Sequence, residues 1–198
     1  MVVVEGGKVG RQVTGRSTAK ITTQHSLIYR YLTDNVGRDK AQAYADANSA
    51  GVDQILAWID QYGIACELES RDAFAYVCDP RNRERLLSEL EAVLQVGLKA
   101  EVLDRAPLPF ETAGALRFPD QHQFNPQSYL AGLAAAVTSA GGRVFENSRV
   151  LAIDNGRRWQ VLTDDGEVNA NHVVVTTNMP IKSPVGMSHR TQPRMHTA

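Results

Sequence analysis

Val2-Val3-Val4-Glu5-Gly6-Gly7 is the stretch on which the fold turns. Three β-branched residues with no polar alternation suit a strand buried on both faces, as in a parallel sheet. The run ends on a carboxylate and opens into a loop bearing Gly6, Gly7, Gly10 and Gly15. At the far end of the chain, Val173-Val174-Val175 has the same composition and is expected to be a second buried strand.

Between these runs the periodicity alternates. From Ser26 to about Tyr62 the pattern is helical, with a break at Asn35-Val36-Gly37. The longer helix is expected from Asp39 to Tyr62, with Ala43, Ala47, Ala50, Ile55, Ile59 and Tyr62 facing inward and Gly63 closing it. Cys66 to Cys78 reads as extended, with Phe74, Tyr76 and Cys78 on one side. Asp79-Pro80 opens a helix from about Arg83 to Val96, stopped by Gly97. Short strands follow at 100–103 and 114–118, across a Pro-rich loop at 105–111. Asn125-Pro126 reads as a helix cap with proline in the first turn, and Gly141-Gly142 ends that helix. Val144-Phe145 and Val150 to Ile153 are strand candidates, and Asp164-Asp165-Gly166 is a hairpin signal after Trp159 to Thr163. This order fits a nucleotide-binding sheet whose crossover is an antiparallel ribbon.

Composition narrows the function classes. The 198 residues allow one large or two small domains, and 43% hydrophobic with 22% charged is ordinary globular material. A net charge of -1 and 7% aromatics give no electrostatic or stacking case for nucleic acid. No stretch approaches the ~20 apolar residues of a membrane span. A cytoplasmic protein is expected, with Cys66 and Cys78 as reduced thiols; a disulfide across a hairpin is the alternative. The five histidines are scattered without metal-ligand spacing, so no metal site is expected. No G-x-S-x-G elbow is present.

The chemistry concentrates near the N-terminus. In a dinucleotide fold, an acidic residue closing the second strand bonds the ribose hydroxyls, and Glu5 has that position. A surface Glu accounts for the same letter. The context favours the former: Gly10-Arg11-Gln12-Val13-Thr14-Gly15-Arg16-Ser17-Thr18-Ala19-Lys20 is small and rich in hydroxyls. Small residues let backbone approach a pyrophosphate, and hydroxyls and amides donate to an anion.

That run resembles the second flavin-contacting loop of FAD-dependent oxidoreductases of the D-amino-acid-oxidase and glycine-oxidase type. It is most similar to bacterial members carrying GxSTAKxTxQH, some with a C-terminal Rieske iron–sulfur domain. Here the motif runs from Gly15 to His25. Two further stretches resemble the family. In Gly142 to Ile153, Val150 matches the backbone placed against the adenine. In Gly166 to Asn178, Thr176-Thr177-Asn178 stands where the family has a small-residue turn after its apolar strand. The resemblance implies FAD as cofactor, held by Glu5, Gly10, Gly15, Arg16, Ser17, Thr18, Ala19, Lys20, Val150, Thr176 and Thr177. It implies an amine or amino acid as the small-molecule partner, oxidised at a C–N bond. It assigns no catalytic residue. Arg117, Tyr129 and His25 are polar enough to face a substrate, but nothing in the sequence positions them.

The expected fold class is α/β. A partial Rossmann-like FAD-binding sheet is interrupted by a smaller antiparallel α+β part of substrate type. The flavin part covers 1–65 and 125–180, the substrate part 66–124, and 181–198 is a loose tail. No G-x-G-x-x-G stands upstream of Glu5, and Gly6 to Gly10 has the wrong spacing. The chain therefore reads as an interior slice, impaired in flavin binding as it stands. Two readings follow: a fragment of an oxidoreductase, or a non-catalytic remnant acting as a binding or oligomerisation module. An edge left open between Val2–Val4 and Val173–Val175 would be healed by their direct pairing or by a homodimer.

Overall fold

A computed structural model of the chain describes residues 1–11 and 13–177. It forms two compact units: Val13–Ala136, and Met1–Gln12 together with the chain from Val137 onward.

The unit of Val13–Ala136 is built around one long strand. Strand β5 (Gly114–Gln123) pairs antiparallel with β3 (Glu69–Val77) along its length. It also pairs with the short strands β2 (Lys20–Ile21) and β4 (Glu101–Leu103) near its two ends. Helices α1 (Ile28–Asn35), α2 (Arg38–Gln61) and α3 (Arg83–Gln95) bury Tyr29, Ala41, Leu86 and Val93 with Leu116 and Phe118 of β5. A smaller cluster joins Ile64, Cys66 and Tyr129 to Ile55, Ile59 and Leu133. Tyr129 and Leu133 come from α4 (Pro126–Ser139), whose N-terminus is capped by Asn125: its Oδ1 accepts from the amides of Gln127 and Ser128.

The second unit holds a parallel pair and an antiparallel ribbon. Strand β1 (Val2–Val4) runs parallel to β6 (Arg143–Phe145), in register Val3 to Val144. Strands β7 (Val150–Asn155), β8 (Trp159–Thr163) and β9 (Glu167–Ala170) form the ribbon. The Thr163 amide donates to Gly166 O across the hairpin turn, as the Asp-Asp-Gly signal predicts. Gly142 is packed so closely that an added Cβ would lie 2.8 Å from Val137 O, which explains a glycine at the entry to β6.

Most element boundaries match the sequence reading, because the breakers carry the backbone geometry. Gly37, Gly63, Gly97 and Gly141 all take positive φ at the ends of helices. Four features differ. The first half of α2 buries Ala41 and Ala45, while Ala43, Ala47 and Ala50 are exposed, as is Tyr62. Alanines stand all around that helix, so apolar period alone does not select a face. In β3, Phe74 and Tyr76 do share a side, but the helices cover the opposite one, through Ala73, Ala75 and Val77. Strand β5 continues five residues beyond Phe118. Val173–Val175 is not in a strand, and Val174 is 83% exposed. Composition gives these valines strand propensity, but a strand also needs a hydrogen-bonded neighbour, and none pairs with them among the described residues. Asn178 and the expected tail of 181–198 lie outside the described residues.

Candidate functional site

Glu5 follows the carboxyl end of β1 and is half-buried. Its backbone continues the parallel pairing: its amide donates to Phe145 O at 2.8 Å, and its carbonyl accepts from the Ser148 amide at 2.9 Å. Its carboxylate Oε1 accepts from the Gly7 amide at 2.8 Å. This bond fixes the carboxylate over its own loop. A carboxylate has two oxygens and about four acceptor positions, so it retains capacity for a diol.

The glycine loop is tied to the segment leading into β7. The Asn147 amide donates to Gly7 O at 2.6 Å, and the Val9 amide donates to the Glu146 carboxylate at 2.8 Å. Asn147 takes a left-handed φ of 52° and Gly10 one of 78°. The structure thus brings Glu5, the loop through Gly10 and the residues just before Val150 to one end of the β1–β6 pair. Val150 is half-buried, paired with Thr163. Thr176 and Thr177 are exposed and outside any strand or helix; no hydrogen bond is seen from them to Glu5.

The remaining sequence-predicted residues belong to the other unit. Gly15 and Arg16 sit in a single 3-10 turn, Thr14–Arg16, and Gly15 O accepts from Gln127 Nε2. Arg16, Ser17, Thr18 and Lys20 are exposed. Ser17 Oγ accepts from the Ala19 amide at 3.2 Å, and Ala19 takes a φ of 60°, uncommon for a residue with a Cβ. Ala19 O then accepts from the Phe124 amide, and Lys20–Ile21 enters the sheet opposite Gln123 and His122. The hydroxyls of Ser17 and Thr18 and the Lys20 ammonium are presented on a loop held by backbone pairing. A cleft of about 450 Å³ beside it is lined by Ala19, Glu67, Glu69, Gln123, Phe124 and Asn125.

Beneath the loop lies a group of side chains that motif reading missed. Tyr29 Oη donates to Thr23 O at 2.6 Å. Burial pushes the Tyr29 phenol well above its ordinary value. The amides of Tyr29 and Arg30, at the start of α1, donate to Glu89 Oε1 and Oε2 at 2.8 Å each. Glu89 is fully buried; burial raises its carboxyl pKa, and the backbone donors of Arg30, Tyr29 and Ile28 pull it back down. One signal was available: Glu89 stands three residues from both Leu86 and Ala92, on the inward face of α3. His25 ends the motif, with Nδ1 3.0 Å from Tyr44 Oη. Burial first, then the Lys20 charge, hold His25 below its ordinary value, which favours the neutral ring at neutral pH.

The three polar candidates for substrate contact have structural partners or surroundings. Arg117 Nε donates to Asp72 Oδ2 at 2.6 Å and Nη1 to Glu101 Oε1, tying β5 to its neighbours on both edges. Tyr129 is buried against Phe124, with ring centroids 5.2 Å apart. His25 faces Tyr44, as above. Cys66 and Cys78 are free thiols, so the hairpin disulfide does not form. Among the described residues, no three His, Cys, Asp or Glu side chains are placed to hold a metal ion. Likewise, no helix among them is long and apolar enough to cross a membrane.

A parallel strand ending in an oriented carboxylate over a glycine loop is the arrangement of dinucleotide-binding folds. The chain belongs to the family of FAD-dependent oxidoreductases, whose profile matches residues 1–197. FAD is the cofactor of that family. The chain is 28% identical over 188 residues to YhfW of Bacillus subtilis, a protein that carries a Rieske 2Fe-2S name; the match covers 94% of this chain and 37% of that one. It is 27% identical over 184 residues to the gamma-glutamylputrescine oxidoreductase of Escherichia coli, covering 90% and 43%. In fold it is similar to glycine oxidase from Geobacillus kaustophilus, with a TM-score of 0.65 at 19% identity over 89% of this chain and 48% of that one. The chain therefore spans less than half the length of each of these relatives.

Proposed function

We propose that this chain supplies flavin-contacting residues of an oxidoreductase that oxidises a C–N bond of an amine or amino acid. The observation that carries this reading is the Glu5 carboxylate, set at the carboxyl end of a parallel strand and oriented by the Gly7 amide. Glu5 would hold the ribose diol of FAD, and Val150 would lie on the adenine side. Gly10, Gly15 and the loop from Arg16 to Lys20 would face the pyrophosphate and the ring system. Thr176 and Thr177 would supply a small-residue passage beneath the cofactor. Bound FAD would accept two electrons as the amine becomes an imine, with oxygen or an electron carrier reoxidising it. The names of the Escherichia coli relative and the glycine oxidase support an amine or amino acid as the substrate class.

The functional boundaries cut across the compact units. We assign the flavin side to 1–65 and 125–180 and the substrate side to 66–124. On this reading the hydroxyl-rich loop serves the cofactor while its backbone belongs to the antiparallel sheet.

Titration of the protein with FAD, followed by quenching of flavin fluorescence, tests this. Saturable binding is expected, weakened about 10- to 100-fold by Glu5→Leu, the effect of losing hydrogen bonds to a charged group. Absence of saturable binding to the unaltered chain overturns the reading.

A specific observation favours a second reading, that of an oligomerisation module. β1 has β6 as its one neighbour among the described residues, and Val174 and Val175 are exposed in the same unit. An open strand edge pairs readily with a second copy. Light scattering at micromolar concentration is expected to give the mass of a homodimer; a clean monomer sinks this reading.

A further inference from the structure

We infer that Gln121 is the positioning residue of the hydroxyl-rich loop: its side-chain amide sets the path by which residues 17–23 present themselves to a flavin. The inference rests on the proposal that this loop contacts FAD.

The loop is in regular structure only at Lys20–Ile21. After Ile21 it leaves the sheet, and Thr23 and Gln24 are nonetheless buried. Buried backbone and hydroxyl groups need partners. Gln121 Oε1 accepts from Thr22 Oγ1 and the Thr23 amide at 2.8 Å each, and from Thr23 Oγ1 at 3.3 Å. Gln121 Nε2 donates to Pro119 O at 2.8 Å. That last bond fixes which end of the amide faces the loop. A flipped amide would set an NH2 against the Thr23 amide, which can only donate, and leave Pro119 O without its donor. From the other side Tyr29 Oη donates to Thr23 O. The amide, hydroxyl and carbonyl of Thr23 are thus all served by two side chains.

The sheet is built to aim Gln121. The pairing of β3 with β5 shifts between Arg71 and Ala73: Ala73 faces Phe118, and Arg71 faces Gln121. One residue of β3, Asp72, therefore opposes two of β5, Pro119 and Asp120, and Asp120 takes a φ of 57°. Such a bulge adds one residue and inverts the face on which the following side chain projects. Without it, Gln121 would project away from the face of Phe118. Strain of this kind persists where surrounding structure holds it.

The experiment compares Gln121→Met, which keeps the volume without the acceptor, and Gln121→Glu, which keeps an acceptor. Both are studied in the full chain by amide hydrogen exchange at residues 19–23 and by FAD titration, with circular dichroism confirming a folded protein. Gln121→Met is expected to speed exchange of the Thr23 amide and raise the FAD dissociation constant, each by about tenfold, the effect of losing one or two buried hydrogen bonds. Gln121→Glu keeps the acceptor for Thr22 and Thr23 but loses the donor to Pro119 O, so it is expected to bind FAD more tightly than Gln121→Met and more weakly than the unaltered chain. Thr22→Val removes one donor to Gln121, shifts the same quantities in the same direction, and carries the test if Gln121→Met does not fold. Unaltered FAD affinity in Gln121→Met, or in Thr22→Val where that variant carries the test, overturns the positioning role while leaving the flavin reading intact. No FAD binding by the unaltered chain overturns both.

Discussion

Replacing Glu89 with Leu is expected to lower the unfolding free energy by about 2–5 kcal/mol at neutral pH, the cost of orphaning one buried and one part-buried amide of α1. Helix α1 has no side-chain cap of its own; its N-cap is Leu27. Glu89 supplies the missing acceptors from α3, sixty residues away, by taking the Tyr29 and Arg30 amides. Leu has similar volume, so the main loss is of acceptors rather than of packing. Replacing a buried charge and its partners together can be neutral, but here the backbone donors stay behind. For a protein of this size the melting temperature is expected to fall by roughly 5–15 °C. Urea denaturation measures the free energy directly, and a loss below about 0.5 kcal/mol would refute the capping role.

The same residue predicts a pH dependence. The Glu89 carboxyl is raised above its ordinary 4.5 by burial. Between 4.5 and its raised native value, the folded protein holds a proton that the unfolded chain has lost. Stability from this group is therefore full below 4.5 and declines as pH rises through that window. The stability gap between the natural protein and the Leu variant should be widest at acid pH and narrow toward neutrality. Denaturation midpoints of both proteins across this range give the answer; a gap that widens with rising pH contradicts the assignment.

Phe118→Ala is expected to cost about 3–5 kcal/mol, whereas Phe110→Ala should cost no more than about 1.5 kcal/mol. Phe118 is 1% exposed and sits against Leu86, Val93 and Tyr29 beneath the helices. Phe110 is 51% exposed and meets Tyr76 edge-on, with centroids 5.8 Å apart. Removing Phe118 leaves a cavity that three helices and a sheet cannot jointly collapse. The comparison of the two variants by thermal or urea unfolding decides which face of the antiparallel sheet is the core. Equal costs would mean that both faces are covered.

The elements that were legible in the sequence are those whose ends are marked. Asn35-Val36-Gly37 separates α1 from α2, and Gly97 closes α3, because glycine takes a positive φ at little cost. Asn125-Pro126 announces α4 through its cap. The candidate site was legible as a set of types: a carboxylate after a β-branched run, then a loop of small residues and hydroxyls. Face selection was less so. Five alanines between Ala41 and Ala50 of α2 left its inward side undetermined, and the aromatic side of β3 is the one turned from the helices. Val173–Val175 carries a strand composition without a strand, since pairing is a property of two segments and not of one.

By itself, the sequence carried the motif from Gly15 to His25 whose resemblance pointed to the family, and it marked most element boundaries through breakers and caps, because backbone preference is local. The tertiary structure alone decided how those residues are held. Gln121 reaches back 98 positions to Thr23, and Glu89 reaches 60 positions back to Tyr29. Such bonds answer the requirement that buried donors find acceptors, a requirement that exists only once the chain has folded.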